Sequence, residues 1–340
     1  MGRPRITILA TGGTIATVSA AAEQPLRTGA ELLSAVPDLE ELAELTCRDV
    51  LRLPSHLMTI DDIELVARAV VGEVEGAEVD GVVVLHGTDI LEEAAFLTDL
   101  WHDAPAPVVF TGAQRPADHP AADGPGNIRD AVIVAGRDDL RGSGVFVCLG
   151  GTVRPAACAT KHDTSSLDPF RSRPSLVGHV AGDGLVNVHI ASPRSPLAPA
   201  SLEHPVELVR LAAGSTGALI RIASETGARG VVLEAFGAGT APIDVAEAVG
   251  EVVEGGCVVL LASRCPQGGV WPQRGRGGSA QLVEAGAVPV GDLDGAKARV
   301  LLMAALGLAR GEPQAARQVV AEWLTDTGRT ALWEHAPRAV

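Results

Sequence analysis

Two threonines stand where their hydroxyls could serve as nucleophile or proton carrier. Thr14 lies in Ala-Thr-Gly-Gly-Thr-Ile-Ala (residues 10–16) and Thr88 in His-Gly-Thr-Asp (86–89). Each segment follows an apolar run, Ile6–Ala10 or Gly81–Leu85, that reads as a buried strand. Both hydroxyls therefore fall just past the carboxyl end of a strand, where open α/β sheets build their ligand sites. Two hydroxyls, the Asp89 carboxylate and closely spaced backbone N–H groups suffice for nucleophilic acyl transfer, with no cofactor required.

Each segment also admits a purely structural reading. Gly12 and Gly13 let the chain turn sharply and approach a ligand, but the same turn can carry an incidental hydroxyl. Gly87 permits a tight turn. Asp89 could complement the dipole of the helix that begins there or cap its first turn. His86 reads as a packed or hydrogen-bonded core residue rather than a base. Ser55 and His56, after a short strand and a proline, fit carboxylate binding and a solvated turn equally well.

The basic residues add a further clue. Of 27 lysines and arginines, only Lys161 and Lys297 are lysine. A lysine retained against that bias marks a place where arginine fails, since lysine can lose its proton in a dry site and arginine cannot. Lys161, in Ala-Thr-Lys-His-Asp-Thr after an apparent hairpin, is read as lying in a polar loop and is the stronger candidate base. Lys297, in the helical stretch 294–309, is equally consistent with a leftover.

These side chains need a scaffold, and strands alternate with helices through the first half. Strand 6–10 leads through a polar stretch to a helix near 29–36 and a strand near Val50–Leu53. Thr59-Ile-Asp-Asp opens a helix over about 60–75, with apolar residues at helical spacing. Strand 81–85 feeds a helix carrying Ala94, Leu97, Leu100 and Trp101, and strand Val108–Thr111 follows. The loop Gly112–Gly126 is long enough to indicate function or cover. A helix at 127–137 and a strand at 144–149 complete a β–α order that predicts a parallel, doubly wound sheet. Residues 191–205 hold four prolines and read as a linker. The expected organisation is an N-terminal α/β domain over 1–190 with the threonines, that linker, and a smaller C-terminal α/β domain over 206–340. Its strands are expected near 206–211, 230–235 and 257–262, and its last helices near 294–309 and 313–325.

Composition excludes several classes. A net charge of −15 argues against a nucleic-acid partner, which calls for a basic surface. No apolar run reaches the roughly 18 residues that cross a bilayer, so no membrane partner is expected. The start, Met1-Gly2-Arg3-Pro4-Arg5, leads straight into a strand without a signal-peptide core, and a cytoplasmic location is expected. The five cysteines form no metal-ligand spacing with histidine and read as free thiols; no metal or nucleotide cofactor is expected.

The combination resembles the bacterial-type L-asparaginase/glutaminase family. The resemblance is carried by Ile-Leu-Ala-Thr-Gly-Gly-Thr-Ile-Ala (8–16), Gly-Val-Val-Val-Leu-His-Gly-Thr-Asp (81–89) and Pro-Val-Val-Phe-Thr-Gly-Ala-Gln-Arg-Pro (107–116). Ala-Asp-Gly-Pro-Gly-Asn (122–127), Ala-Thr-Lys-His-Asp-Thr (159–164) and Lys-Ala-Arg-Val-Leu-Leu (297–302) follow in the family's order. It implies the asparaginase-like α/β fold and hydrolysis of L-asparagine to L-aspartate and ammonia, with Thr14 as nucleophile. Thr88 would face the bound amide, linked to Lys161 and Asp89 for proton handling. Asp89 would pair with the substrate's α-ammonium and Ser55 with its α-carboxylate, with Gly87 beside them. His56 stands where the family often has glutamine. A homodimer or homotetramer is implied, its sites completed by the neighbouring subunit's C-terminal domain.

Two departures from the family pattern stand out. The lid after the first threonine normally carries an activating tyrosine, yet this chain has none; Glu23, the only acid in Thr17–Arg27, or a bridging water is the candidate substitute. The second-domain turn, Gly-Ala-Gly-Thr-Ala-Pro (237–242), lacks the family's asparagine. Alternatives are an amidase for L-glutamine, a D-amino-acid amide or a pathway-specific amide. A non-catalytic amino-acid-binding protein and an amidotransferase subunit are the readings outside free-standing amide hydrolysis.

Overall fold

Apolar runs too short for helices form the centre of the first unit. In the computed structural model, which describes residues 2–18, 26–76, 78–172, 178–182, 184–186 and 193–331, these runs are buried strands. The chain divides into two compact units, Met1–Ser192 and Pro193–Val340.

The first unit contains β1 (Arg5–Gly12), β2 (Glu44–Leu53), β3 (Gly81–Leu85), β4 (Val108–Thr111) and β5 (Val145–Leu149). β6 (Thr152–Pro155), β7 (Ala159–Lys161), β8 (Phe170–Ser172), β9 (Gly178–Ala181) and β10 (Gly184–Val186) follow. Eight of these form one sheet in the order β10-β9-β6-β5-β4-β3-β1-β2, while β7 and β8 make a separate two-stranded sheet. From β2 to β5 every pairing is parallel; β6 turns back antiparallel on β5.

Helices α1 (Gly29–Leu33), α2 (Leu39–Leu42), α3 (Ile60–Gly76), α4 (Leu91–Trp101) and α5 (Gly124–Ala135) supply the cover. Ile6, Ile8, Val83 and Val109 face a core shared with Leu32, Leu39, Ile128 and Val132 from α1, α2 and α5. α3 and α4 pack on each other and on the strands. Parallel strands buried on both faces read as unbroken apolar runs, and β3 is buried at every position.

The second unit has its own parallel sheet, in the order β11 (Val206–Arg210), β12 (Gly230–Ala235), β13 (Val258–Ser263), β14 (Val288–Pro289). α6 (Ala218–Glu225), α7 (Ile243–Glu254), α8 (Ser279–Glu284), α9 (Gly295–Leu308) and α10 (Pro313–Asp326) accompany it. The α/β class, with a larger mainly parallel sheet and a smaller second one, is the class expected from the sequence.

Several local expectations need correction. β2 begins at Glu44, six residues before the apolar signal of Val50–Leu53, because it is an edge strand whose first half is largely exposed and polar. α5 starts at Gly124 rather than 127, with Pro125 in its first turn, where a missing N–H costs nothing. α1 stops at Leu33, short of 36. Lys161 is not in a loop: it ends strand β7, paired with Phe170 of β8.

Candidate active site

The parallel strand order β2-β1-β3-β4-β5 reverses direction between β1 and β3. In doubly wound sheets that reversal leaves a crevice at the carboxyl ends of the two strands. Thr14 follows β1 and Thr88 follows β3, so both threonines lie at this switch point.

Contacts between backbones bring the loops together. Gly12 and Gly13 have φ of 104° and 83°, open to glycine and strained for other residues. The Gly13 N–H donates to Leu53 O at 3.0 Å, joining the β1 and β2 loops. A Cβ on Gly13 would sit 2.3 Å from Gly87 Cα, so only a glycine lets the β1 and β3 loops touch. Thr14 then opens a single 3-10 turn, Thr14–Ala16, and is half-buried.

Gly87 has a different role from the tight turn expected of it. Its φ is not positive; its missing side chain makes room for Ser55, whose Oγ would lie 2.4 Å from a Cβ there. Ser55, itself buried, accepts the Asp89 N–H on that Oγ at 3.3 Å. The hydroxyl proton of Ser55 remains available to an anion.

Asp89 does not cap α4. The N-cap is Ile90, without a side-chain cap bond, and Asp89 turns instead toward Lys161. Lys161 Nζ donates to Asp89 Oδ1 at 2.8 Å and to Thr88 Oγ at 2.8 Å. The Lys161 side chain is 19% exposed and that of Asp89 55%, which leaves the second carboxylate oxygen open to a ligand. His56 is 63% exposed, with Nδ1 3.8 Å from Asp89 Oδ2. Thr88, Asp89 and Lys161 are thus in direct contact, Ser55 touches the same loop, and His56 stands at its rim.

His86 is a core residue, as expected. It is fully buried, and burial lowers its pKa to about 4 despite the bond to the Gly87 carbonyl. A carbonyl only accepts, so the 2.7 Å contact places a proton on Nδ1. In a trans peptide the N–H points opposite to the C=O. The Thr88 N–H therefore points away from the imidazole, and among the described residues nothing accepts it.

Three partners were invisible to motif reading. The Glu92 carboxylate, in the first turn of α4, accepts the Lys161 backbone N–H at 2.8 Å and ties β7 to that helix. Gln114 Nε2 donates to Thr88 Oγ at 3.2 Å. Asp123 accepts the backbone N–H groups of Gln114 and Arg115 at 2.9 Å each, shaping the loop after β4. An acid at the start of a helix was the only trace of Glu92, and Gln114 and Asp123 lay unassigned within matched motifs. Glu23 and most of the lid fall outside the described residues. Among the described residues, no group of three or more metal-ligating side chains is clustered.

Comparisons with known proteins agree along the chain. The family model described as Asparaginase, N-terminal, matches residues 5–191, and the Glutaminase/Asparaginase C-terminal domain matches 205–319. The probable L-asparaginase of Deinococcus radiodurans is 36% identical, over 90% of this chain and 94% of its own. A Glutamyl-tRNA(Gln) amidotransferase subunit of Halobacterium salinarum is 34% identical, over 96% of this chain and 81% of its own. The crystal structure of a probable cytoplasmic L-asparaginase from Campylobacter jejuni aligns with a TM-score of 0.82 at 27% identity, covering 94% of this chain and 99% of that one. With family models spanning both units and relatives matched over nearly their full length, this chain belongs to the asparaginase family, a membership that supports amidohydrolase activity.

Proposed function

We propose that the protein hydrolyses L-asparagine to L-aspartate and ammonia, with Thr14 as the nucleophile. The observation that carries this reading is Lys161 Nζ, 2.8 Å from both Thr88 Oγ and Asp89 Oδ1. A threonine hydroxyl is a weak nucleophile and needs proton relay nearby. Thr14 Oγ attacks the side-chain amide carbon, and its proton passes to the departing nitrogen as the C–N bond breaks. Ammonia leaves and an ester remains on Thr14. Water then adds to the ester, the C–O bond to Thr14 breaks, and aspartate departs with the threonine hydroxyl restored. The Thr88 N–H is a donor suited to the oxyanion of each step.

Binding follows from the same contacts. Asp89 Oδ2, on the exposed side of the carboxylate, suits the α-ammonium and the Ser55 hydroxyl the α-carboxylate, with His56 at the entrance. The family resemblance supports a homodimer or homotetramer with sites shared between subunits, and five unpaired cysteines support a cytoplasmic setting. Glutamine or another amide is the alternative substrate, favoured by His56 in place of the family's glutamine.

A second reading, an ammonia-supplying component of an amidotransferase, draws on the likeness to the Halobacterium protein. The charge of −15 counts against a tRNA partner.

The deciding assay is ammonia release from L-asparagine and L-glutamine, with Thr14→Ala alongside. Release from asparagine that falls by about three orders of magnitude or more in Thr14→Ala supports the proposal. Asparagine binding without release in the wild type overturns it in favour of a binding role. Release that survives Thr14→Ala removes Thr14 as nucleophile.

A further inference from the structure

The Thr88 hydroxyl oxygen receives two donors at once, Lys161 Nζ at 2.8 Å and Gln114 Nε2 at 3.2 Å. A hydroxyl oxygen has two lone pairs and one proton, while an ammonium and the NH₂ end of an amide only donate. With both lone pairs engaged, a single tetrahedral direction is left for the Thr88 O–H. Thr88 is itself buried, so the rotor has little other freedom.

Gln114 is held firmly enough to impose that direction. Its backbone N–H and that of Arg115 both donate to the Asp123 carboxylate. Asn127 Nδ2 in turn donates to Asp123 Oδ2 at 3.2 Å and to Gly112 O at 2.9 Å, bracing both ends of the segment. α5 thus fixes Gln114, and Gln114 reaches across to the loop after β3.

We propose that Gln114 is a positioning residue that fills the lone pair Lys161 leaves free and so turns the Thr88 O–H toward the bound amide. The inference rests on the amidohydrolase reading above. It gives Thr88 a set polarity: acceptor toward the protein, donor toward the ligand.

Two substitutions of similar size test it. Gln114→Glu replaces the donor with a carboxylate that accepts the Thr88 proton and draws it out of the cleft. Near neutral pH, kcat should fall about a hundredfold with KM changed by less than about threefold. Activity should recover as acid protonates the introduced carboxylate, a limb absent from the wild-type pH profile. Gln114→Met, which neither donates nor accepts, should cost about tenfold in kcat without a new limb. Equal losses in both variants with an unchanged pH profile would overturn the assignment.

A second readout does not depend on turnover. The chain has two lysines, so lysine-selective NMR gives one side-chain signal from Lys161 and one from Lys297. Gln114→Glu should move the Lys161 signal and leave that of Lys297 in place. An unmoved Lys161 signal refutes the positioning role. A wild type that releases no ammonia sinks the amidohydrolase reading instead, and the lysine signals still decide whether Gln114 acts on the Thr88–Lys161 pair.

Discussion

Gly13 and Gly87 pack backbone against backbone, and each is followed directly by one of the two threonines. The spacing of Thr14 and Thr88 is thereby referred to a contact between main chains, which cannot rotate away as side chains can. A Cβ on Gly13 would meet Gly87 Cα at 2.3 Å, and one on Gly87 would meet Ser55 Oγ at 2.4 Å.

Gly13→Ala should therefore damage both stability and turnover. Its backbone, at φ 83° and ψ −173°, is a conformation open essentially to glycine alone and costs another residue about 1–3 kcal/mol, and the collision with backbone adds to it. A lowered melting temperature and a loss of at least about a hundredfold in kcat/KM for ammonia release are expected. Gly87→Ala presses hardest on the Ser55 side chain and more lightly on Gly13 Cα, at 3.1 Å, so a raised KM with a smaller loss in kcat is expected. Wild-type kinetics in Gly13→Ala would show that this contact does not position the threonines.

The two lysines should respond to arginine in opposite ways. Lys161→Arg keeps the charge but loses a side chain able to give up its proton; activity should fall by orders of magnitude while the unfolding midpoint holds. Lys297 is fully buried, its ammonium 2.7 Å from Asp294 Oδ2 at the start of α9. Lys297→Arg overfills that space and should cost about 1–3 kcal/mol of stability. Thermal unfolding and ammonia release, measured on both variants, separate the outcomes. Full activity in Lys161→Arg would refute its role in proton transfer.

Stability should weaken in mild acid because of His86. The folded protein keeps this imidazole neutral down to about pH 4, whereas the ordinary value is 6.5. Between those values the unfolded chain binds a proton that the folded one refuses. Folding therefore loses up to about 3 kcal/mol as pH falls from 6.5 to 4, and nothing from this group above that window. Urea unfolding at pH 7 and pH 4.5 should show a smaller loss for His86→Gln than for wild type. Identical losses would mean that His86 does not carry the dependence.

The sequence was readable where burial and chemistry left strong local marks. β3 is a continuous apolar run and β1 a mostly apolar one, buried from Ile6 onward, and the turns after them mark Thr14 and Thr88. Asp294, an N-cap bonded to the Lys297 N–H, marks the start of α9 within a residue of expectation. The first half of β2 gave no such mark, because an edge strand needs little apolar surface. Gln114 and Glu92 were silent for another reason: their partners, Thr88 and the Lys161 backbone, are 26 and 69 residues away in sequence. Nothing in their own surroundings reports those contacts.

Lys161 belongs to the β7–β8 pair, outside the eight-stranded sheet that carries both threonines. The hydroxyls are thus built into a hard frame, whereas the ammonium is delivered on a two-stranded arm pinned at its backbone by Glu92. Small paired elements of this kind open at lower free energy than a central sheet. The proposed proton relay therefore depends on that arm staying docked, and on warming ammonia release should fall before the frame itself melts.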